Sequence, residues 1–327
     1  MRNNRKATIG IKCTSGQFKQ SNLSKLVKLA CADGFFLVCI RADVRGLEKN
    51  EDYRVLESIF SLVKRLRSES DCVILVDCLV ESNKKLVKLI QKNKSMVDNV
   101  LVDSNSLNNC KLLEQFSTLR KQGVQCCIFL DTDDYSSVMD SYKKYVSTGF
   151  PIKTNALADY KQVQLQDVRD WIYDTEGTSL SVFSDIINRA LLYYSVDCSF
   201  SSCIGNRIYV ENDDGLLCDK ASGLHTKSIF ECDSYGDVFS SEEILVLLKQ
   251  TIARRNACKE KCAFFSVCRG GCPLKKTDVE NCEYAAYFSL IVEVKNELIR
   301  VIESGNLTMI NPYVRNTIFL SMSSYRE

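Results

Sequence analysis

Apolar and polar positions alternate with two periods along the first half of the chain, which predicts strands and helices in turn. Runs of apolar, β-branched residues predict six strands, at residues 7–13, 35–40, 72–80, 99–103, 124–130 and 150–153. Between them, apolar residues recur every three or four positions and predict helices at 22–32, 52–67, 84–92, 107–121 and 135–146. Ser21 is a candidate cap, and Gly34, Gly123 and Gly149 stand where helices end.

Strands buried on both faces and separated by helices predict a parallel sheet. Six repeats of strand and helix favour an α/β fold, a partial (β/α)6 TIM-like barrel, with a doubly wound sheet as the alternative. In both arrangements the functional rim lies at the C-terminal ends of the strands. Acids there either bind a metal or a peptide's basic side chains, or they cap the next helices. The rim residues are Cys13, Arg41, Asp43, Asp77, Asp103, Asp131 and Asp133.

The second half of the chain has shorter elements and more turns. Helices are predicted at 163–173 and 180–194, with Trp171 as a packing residue. A hairpin is predicted from strands 207–211 and 216–219 around a turn at 213–215. A helix at 242–255 after the cap Ser241 and a last helix at 283–304 that stops at Gly305 complete the prediction. The single histidine, His225, argues against catalysis by imidazole.

Charge and hydropathy exclude several classes of protein. The 327 residues carry a formal net charge of +2, which gives no electrostatic case for binding nucleic acid or a membrane surface. No apolar run approaches the roughly 20 residues of a membrane-spanning helix. We therefore expect a cytoplasmic protein without a targeting segment.

The 17 cysteines fall into two classes. In a reducing compartment they should not form disulfides. The first eight are scattered among apolar residues and are predicted to be buried small side chains. They are Cys13, Cys31, Cys39, Cys72, Cys78, Cys110, Cys126 and Cys127. The other nine, from Cys198 onward, cluster among turns and are candidate metal ligands.

The densest cluster runs from Cys258 through Cys262 and Cys268 to Cys272, and Cys282 follows it. Thiolates at such short spacings converge on a soft metal, either zinc or an iron–sulfur cluster. Gly270 and Gly271 would allow a tight turn that approaches a bound object. With Cys232 set aside as a bystander, eight cysteines remain, enough for two four-thiolate sites.

The hairpin together with Cys268-Arg-Gly-Gly-Cys272-Pro resembles the SPASM domain, over about residues 198–290. That module is appended to radical S-adenosylmethionine (SAM) enzymes that modify peptides and proteins, such as the anaerobic sulfatase-maturating enzymes. The resemblance implies two auxiliary [4Fe–4S] clusters and an upstream partial (β/α)6 barrel. It implies that the first cluster is held by Cys198, Cys203, Cys218 and Cys272. It implies that the second is held by Cys258, Cys262, Cys268 and Cys282.

The barrel departs from that family at the motif that cleaves SAM. The family ends its first strand in Cys-x-x-x-Cys-x-x-Cys, whereas this chain has Cys13, Gln17 and Gln20 at those places. The Gly-Gly-Glu-Pro turn is replaced by Arg-Ala-Asp-Val-Arg at residues 41–45. Neutral amides are poor substitutes for thiolates on iron. The sequence therefore argues against SAM binding and indicates a radical SAM-like pseudoenzyme, although whether it is an enzyme stays open.

These observations lead to one functional hypothesis and two alternatives. The first is an iron–sulfur protein that matures a ribosomally synthesised peptide beside an active radical SAM enzyme, so that its partners are the peptide precursor, that enzyme or both. The alternatives are a peptide maturase with its own activity and a zinc-binding scaffold. The predicted division is a barrel at 1–160, a helical linker at 161–197 and the cysteine domain with its C-terminal helix at 198–327.

Overall fold

The structure is a computed structural model of the chain. It describes residues 6–13, 20–47, 50–81, 83–107, 110–132, 134–154, 162–192, 207–211, 214–217, 224–268, 270, 282 and 284–324. Contacts group the chain into two compact units, which are treated separately below. Unit 1 contains residues 1–126 and 202–250, and unit 2 contains residues 127–201 and 251–327.

The described strands form one sheet of eight strands. In chain order they are β1 (Lys6–Lys12), β2 (Leu37–Asp43), β3 (Val73–Val80), β4 (Asn99–Asp103), β5 (Gln125–Leu130), β6 (Ile152–Thr154), β7 (Arg207–Glu211) and β8 (Asp214–Leu217). The strand order in the sheet is β6-β5-β4-β3-β2-β1-β7-β8. Strands β1 to β6 are parallel, and each lies beside its neighbour in sequence. This order confirms the partial (β/α)6 barrel, because a doubly wound sheet would reverse its strand order part-way.

The helices follow the predicted alternation. They are α1 (Gln20–Ala32), α2 (Asn50–Glu69), α3 (Lys84–Lys92), α4 (Cys110–Lys121), α5 (Tyr135–Tyr145), α6 (Leu165–Ile172), α7 (Ser181–Leu192), α8 (Glu242–Lys261), α9 (Phe265–Cys268), α10 (Ala285–Ser304) and α11 (Pro312–Ser324). Among the described residues, no helix is both long and apolar enough to cross a membrane.

In unit 1, alternate residues of the parallel strands build an apolar face. Because the side chains of a strand alternate between its two faces, every second residue of β1, β2 and β3 points the same way. These residues are almost fully buried, and α1 and α2 contact β2 and β3. They are Ala7, Ile9, Ile11, Val38, Ile40, Ala42, Ile74, Val76 and Cys78. The opposite face is therefore the one that carries the polar residues of these strands.

The hairpin lies at the edge of this sheet in unit 1. Strand β7 pairs in parallel with β1, an association that local sequence patterns do not reveal. Strands β7 and β8 are antiparallel, and Glu211 is paired with Asp214. The predicted turn at 213–215 was therefore misplaced: Asp214 and Gly215 belong to β8, and a two-residue connection suffices for a hairpin.

Several helix boundaries differ from the prediction. Ser21 lies inside α1 and is not its cap, because the helix begins at Gln20. Helix α8 continues past residue 255 to Lys261, since no glycine or proline interrupts residues 256–261. Helix α4 begins at Cys110 because residues 104–106 form a separate 3-10 turn. Helix α11 was not predicted, whereas α10 ends at Gly305 as expected, with that glycine in the left-handed conformation.

The first class of cysteines is only partly as predicted. Cys13, Cys39, Cys78, Cys126 and Cys127 are buried, which confirms the prediction for these five. Cys31 and Cys72, however, are half-buried and form a disulfide in the structure. The prediction of no disulfide was wrong for this pair, because the end of α1 and the start of β3 bring the two Cα atoms within 5.9 Å. The side chain of Cys110 lies outside the described residues.

Trp171 has the packing role that the sequence predicted. Its ring is 2% exposed and lies 5.6 Å from the ring of Phe183, centroid to centroid. Its indole Nε1–H donates a hydrogen bond of 3.0 Å to the carbonyl oxygen of Thr178. Since both the ring and its polar atom have partners within unit 2, Trp171 is part of that unit's core.

Candidate metal centre

Three of the predicted ligands of the second cluster lie on or beside two consecutive helices of unit 2. Cys258 is in the last turn of α8, and Cys262 follows one helical turn later, with its N–H bonded to the Cys258 carbonyl at 2.8 Å. Residues four apart on a helix lie on the same face. Cys268 ends the short helix α9, and its N–H bonds to the carbonyl of Phe264. The end of α8 thus presents two thiols on one side.

Cys282 comes close to this pair from the other direction in the chain. Its carbonyl accepts a hydrogen bond from Ala285 at the start of α10. Burial raises the pKa of the Cys258 thiol, and the neighbouring Cys262 and Cys282 thiols raise it further, whereas Arg254 lowers it. The three side chains are therefore electrostatic neighbours although 20 or more positions separate Cys258 from Cys282 in sequence.

Ligand type agrees with a soft metal or cluster at this place. The four described cysteines supply thiols, which suit zinc or an iron–sulfur cluster and do not suit magnesium or calcium. Cys258 and Cys268 are buried, and Cys262 and Cys282 are half-buried. Within the described ranges, no three histidine, cysteine, aspartate or glutamate side chains converge closely enough to hold a metal ion. Cys198, Cys203, Cys218 and Cys272 lie outside the described residues, so both ligand sets remain predictions.

The loop between Cys268 and Cys272 is held against α8 at one glycine. Arg254 Nε donates a hydrogen bond of 3.0 Å to the Gly270 carbonyl, and Gly270 has a φ of 94°. A Cβ added at Gly270 would lie 2.4 Å from Cγ of Arg255 and 3.3 Å from its Cα. The sequence predicted that this glycine comes close to a bound object. In the structure Gly270 comes close to α8, and a side chain there would clash with Arg255, which explains why a glycine is needed.

We expect Gly270→Ala to destabilise unit 2 by about 2–3 kcal/mol, since a positive φ costs a non-glycine residue roughly 1–2 kcal/mol and the new methyl group displaces Arg255. Urea unfolding followed by Trp171 fluorescence measures the effect. Gly305→Ala is the matched control, because Gly305 has a φ of 71° with nothing within 4 Å of the added Cβ. If the two variants lose equal free energy of unfolding, the contact of Gly270 with α8 does not contribute to stability.

The polar face of the unit 1 sheet is organised around Asp77. Strand register places Arg41 beside Asp77 and Asp77 beside Asn99. The Asp77 carboxylate is almost fully buried and has three partners: Arg41 Nη2 at 3.5 Å, Asn99 Nδ2 at 2.6 Å and Cys39 Sγ at 3.4 Å. Burial, with the Asp77 carboxylate adding to it, raises the pKa of the Cys39 thiol to about 12. Arg41 and Asp77 therefore lie within their strands and not at the strand ends where they were predicted.

At the C-terminal ends of β2 and β4, an arginine that was not among the predicted site residues bridges two predicted acids. Arg45 Nη2 and Nε contact Asp43 at 2.9 and 3.0 Å, and its Nη1 contacts Asp103 at 3.0 Å. The other oxygen of Asp103 accepts the N–H of Asn105 at 2.9 Å, so this acid also caps the turn that follows β4. The signal in the sequence was the spacing Asp43-x-Arg45 directly after β2.

The other predicted rim residues are Cys13, Asp131 and Asp133. Cys13 is fully buried. Burial raises the pKa of the thiol of Cys78, a residue of the apolar face, and the neighbouring Cys13 thiol adds to this effect. Burial, with Asp43 adding to it, also raises the pKa of the Cys13 thiol. Asp131 is exposed and follows β5 in unit 2. Asp133 lies outside the described residues.

Comparison with known proteins shows a shared fold. No protein-family model matches the chain, and no curated protein matches it. Solved structures of anSMEcpe do match it. The histidine-tagged form with bound AdoMet has a TM-score of 0.63 and 16% identity, covering 91% of this chain and 99% of its own.

Two native forms of anSMEcpe match over the same length. The form with bound AdoMet has a TM-score of 0.62 at 16% identity, with coverage of 91% and 99%. The form with AdoMet and the Kp18Cys peptide has a TM-score of 0.59 at 16% identity, with coverage of 92% and 99%. At such low identity the comparison shows the fold alone. This chain shares the fold of anSMEcpe.

Proposed function

We propose that this protein is an iron–sulfur protein that holds two auxiliary [4Fe–4S] clusters and acts in maturing a ribosomally synthesised peptide, beside an active radical SAM enzyme. The observation that carries the proposal is the combination of a radical SAM-like fold over nine-tenths of the chain with neighbouring thiols at Cys258, Cys262 and Cys282.

Three features of the barrel support the absence of its own SAM-cleaving cluster. Cys13, the one cysteine left from the family's motif, is buried next to the apolar face and has a raised pKa. Gln20, at the position of another thiolate, is the first residue of α1, and its side-chain amide donates to the Ser58 carbonyl at 3.4 Å. Arg45 already neutralises Asp43 and Asp103 at the strand ends.

The chain's own residues would give the second cluster its surroundings. The cluster, when bound, supplies one-electron transfer. Burial of Cys258 and Cys268 would keep water away from two of the sulfurs, and the bond from Arg254 to the Gly270 carbonyl would hold the ligand-bearing loop in place. Such fixed surroundings are what tune the potential of a cluster.

The peptide part of the proposal has indirect support. Matching structures of anSMEcpe were solved with the Cp18Cys and Kp18Cys peptides. Those peptides are bound by that protein, and a peptide partner for this chain is our inference from the shared fold. Cytoplasmic location remains part of the proposal, in keeping with oxygen-sensitive clusters.

Reconstitution tests the function. We expect the reduced, isolated protein not to cleave SAM, and we expect the modified peptide to form only when a radical SAM enzyme encoded beside this chain is co-expressed with it and with the precursor. Omitting this chain should lower the yield of modified peptide at least about tenfold, as expected when an electron-transfer partner is lost. SAM cleavage by the isolated protein would instead favour a maturase with its own activity. Two zinc ions without iron would favour a scaffold.

A further inference from the structure

A groove runs along α1 in unit 1. Its cavity volume is about 650 Å³. Leu29 and Ala32 supply apolar surface, and Arg65 of α2 lies across from α1. The other residues of the lining are Gln20, Ser21, Ser24, Lys25 and Lys28, all on α1.

The charged residues that line this groove are positive. Lys25, Lys28 and Arg65 line it, and Glu69 lies 3.9 Å from both Lys28 and Arg65. Those two ion pairs are exposed, and pairs of this kind contribute only about 0–1 kcal/mol. A carboxylate from a ligand can therefore replace Glu69 at little cost.

Lys25 is oriented by a contact at one end of the groove. Its Nζ donates a hydrogen bond of 3.2 Å to the Phe230 carbonyl, and the Phe230 side chain is 54% exposed. An ammonium group has three donors, so two remain for a ligand. Lys25 thus offers a positive charge that is held in position at one end of the groove.

We propose that this groove binds an acidic segment of a partner peptide in extended conformation. Charge complementarity favours carboxylates, and the apolar surface of Leu29 and Ala32 favours a ligand that also has apolar side chains, as a peptide does. Helix α1 has 13 residues and is about 20 Å long, which matches five or six extended residues. The choice of a peptide as occupant rests on the proposed function.

Binding to the full-length protein tests the proposal without any readout of iron or peptide modification. The probe is a fluorescein-labelled pentapeptide, Glu-Leu-Asp-Leu-Glu, followed by fluorescence anisotropy. We expect saturable binding whose affinity falls as the salt concentration rises. In the double variant Lys25→Glu/Lys28→Glu the affinity should be at least about tenfold lower. The matched control is Lys88→Glu/Lys92→Glu, two exposed lysines on α3 with the same change of charge, and it should leave the affinity unchanged.

The proposal would be overturned by the absence of saturable binding, by an equal loss of affinity in the α3 control, or by equal affinity for Lys-Leu-Lys-Leu-Lys. An oligodeoxythymidine that displaces the pentapeptide at equal charge would also overturn it, in favour of a general polyanion surface. Circular dichroism melts of both double variants establish that they are folded. If the protein contains no iron but binds the pentapeptide, the proposed function is wrong, whereas the proposal that the groove binds an acidic peptide is supported.

Discussion

Replacing Cys258 and Cys262 by serine should halve the iron content of the anaerobically purified protein, from about eight to about four irons per chain. The two residues lie one turn apart at the end of α8, and Cys258 interacts electrostatically with both Cys262 and Cys282. A serine hydroxyl is a harder donor than a thiolate and stays protonated near neutral pH, so it is a poor substitute on iron. Removing two of four ligands therefore leaves too few for that cluster.

Iron, sulfide and zinc analysis together with an absorption spectrum provides the measurement. Cys232→Ala is the matched control, because Cys232 is buried before α8 and its thiol donates to the Ser228 carbonyl at 3.2 Å. It lies outside both proposed ligand sets, so its loss should leave all of the iron in place. If the double variant keeps all of its iron, the assignment of Cys258 and Cys262 is wrong. If wild-type protein carries zinc and no iron, the cluster proposal itself fails.

Most of the fold could be predicted from the sequence, because the periodicity of apolar residues reflects which side chains of an element are buried. Strand β4 and helix α3 were predicted to the residue, and Gly34, Gly123 and Gly149 do have positive φ angles. The pairing of β7 with β1 could not be predicted, since nearly 200 residues separate the two strands and no local pattern records which edge a hairpin joins. The Cys31–Cys72 disulfide was missed for the same reason, as it depends on where α1 ends relative to β3.

The candidate site was predictable in its chemistry and only partly in its geometry. Dense cysteines indicate a soft metal from spacing alone, and the neighbourhood of Cys258 and Cys282 agrees with that. Arg45 was overlooked because the spacing Asp43-x-Arg45 does not record its second partner. Its role as a bridge between Asp43 and Asp103 depends on β2 and β4 flanking β3. Asp77 was placed at the rim, whereas its register with Arg41 puts it inside the sheet.

The largest effect on stability is expected at a buried ion pair in unit 2. Asp185 and Arg189 lie one turn apart on α7, both with side chains 5% exposed, and Arg189 Nε is 2.9 Å from Asp185 Oδ2. The Tyr287 hydroxyl of α10 donates to the same oxygen at 3.1 Å. Asp185→Ala leaves the Arg189 charge buried without this carboxylate, which should cost about 3–5 kcal/mol. That is a large share of the roughly 5–15 kcal/mol by which a domain is stable.

Urea unfolding monitored by Trp171, the only tryptophan and a core residue of unit 2, measures this cost. Asp170→Ala is the control, since Asp170 is exposed on α6 and should cost no more than about 0.5 kcal/mol. The double variant Asp185→Leu/Arg189→Met should recover most of the loss, because apolar residues can replace a buried pair without leaving a charge. If Asp185→Ala and Asp170→Ala lower the free energy of unfolding equally, the ion pair does not stabilise α7.

The Asp185→Ala variant also tests whether the ion pair on α7 helps to position a ligand of the candidate metal centre. Tyr287 is in the first turn of α10, and the residue that opens this helix, Ala285, bonds to the Cys282 carbonyl. Losing the bond between Tyr287 and Asp185 should loosen the start of α10 and with it the position of Cys282. We therefore expect folded Asp185→Ala protein to lose iron to a chelator faster than wild type, whereas Asp170→Ala should not. Unchanged iron loss in Asp185→Ala would mean that Cys282 is positioned by other contacts.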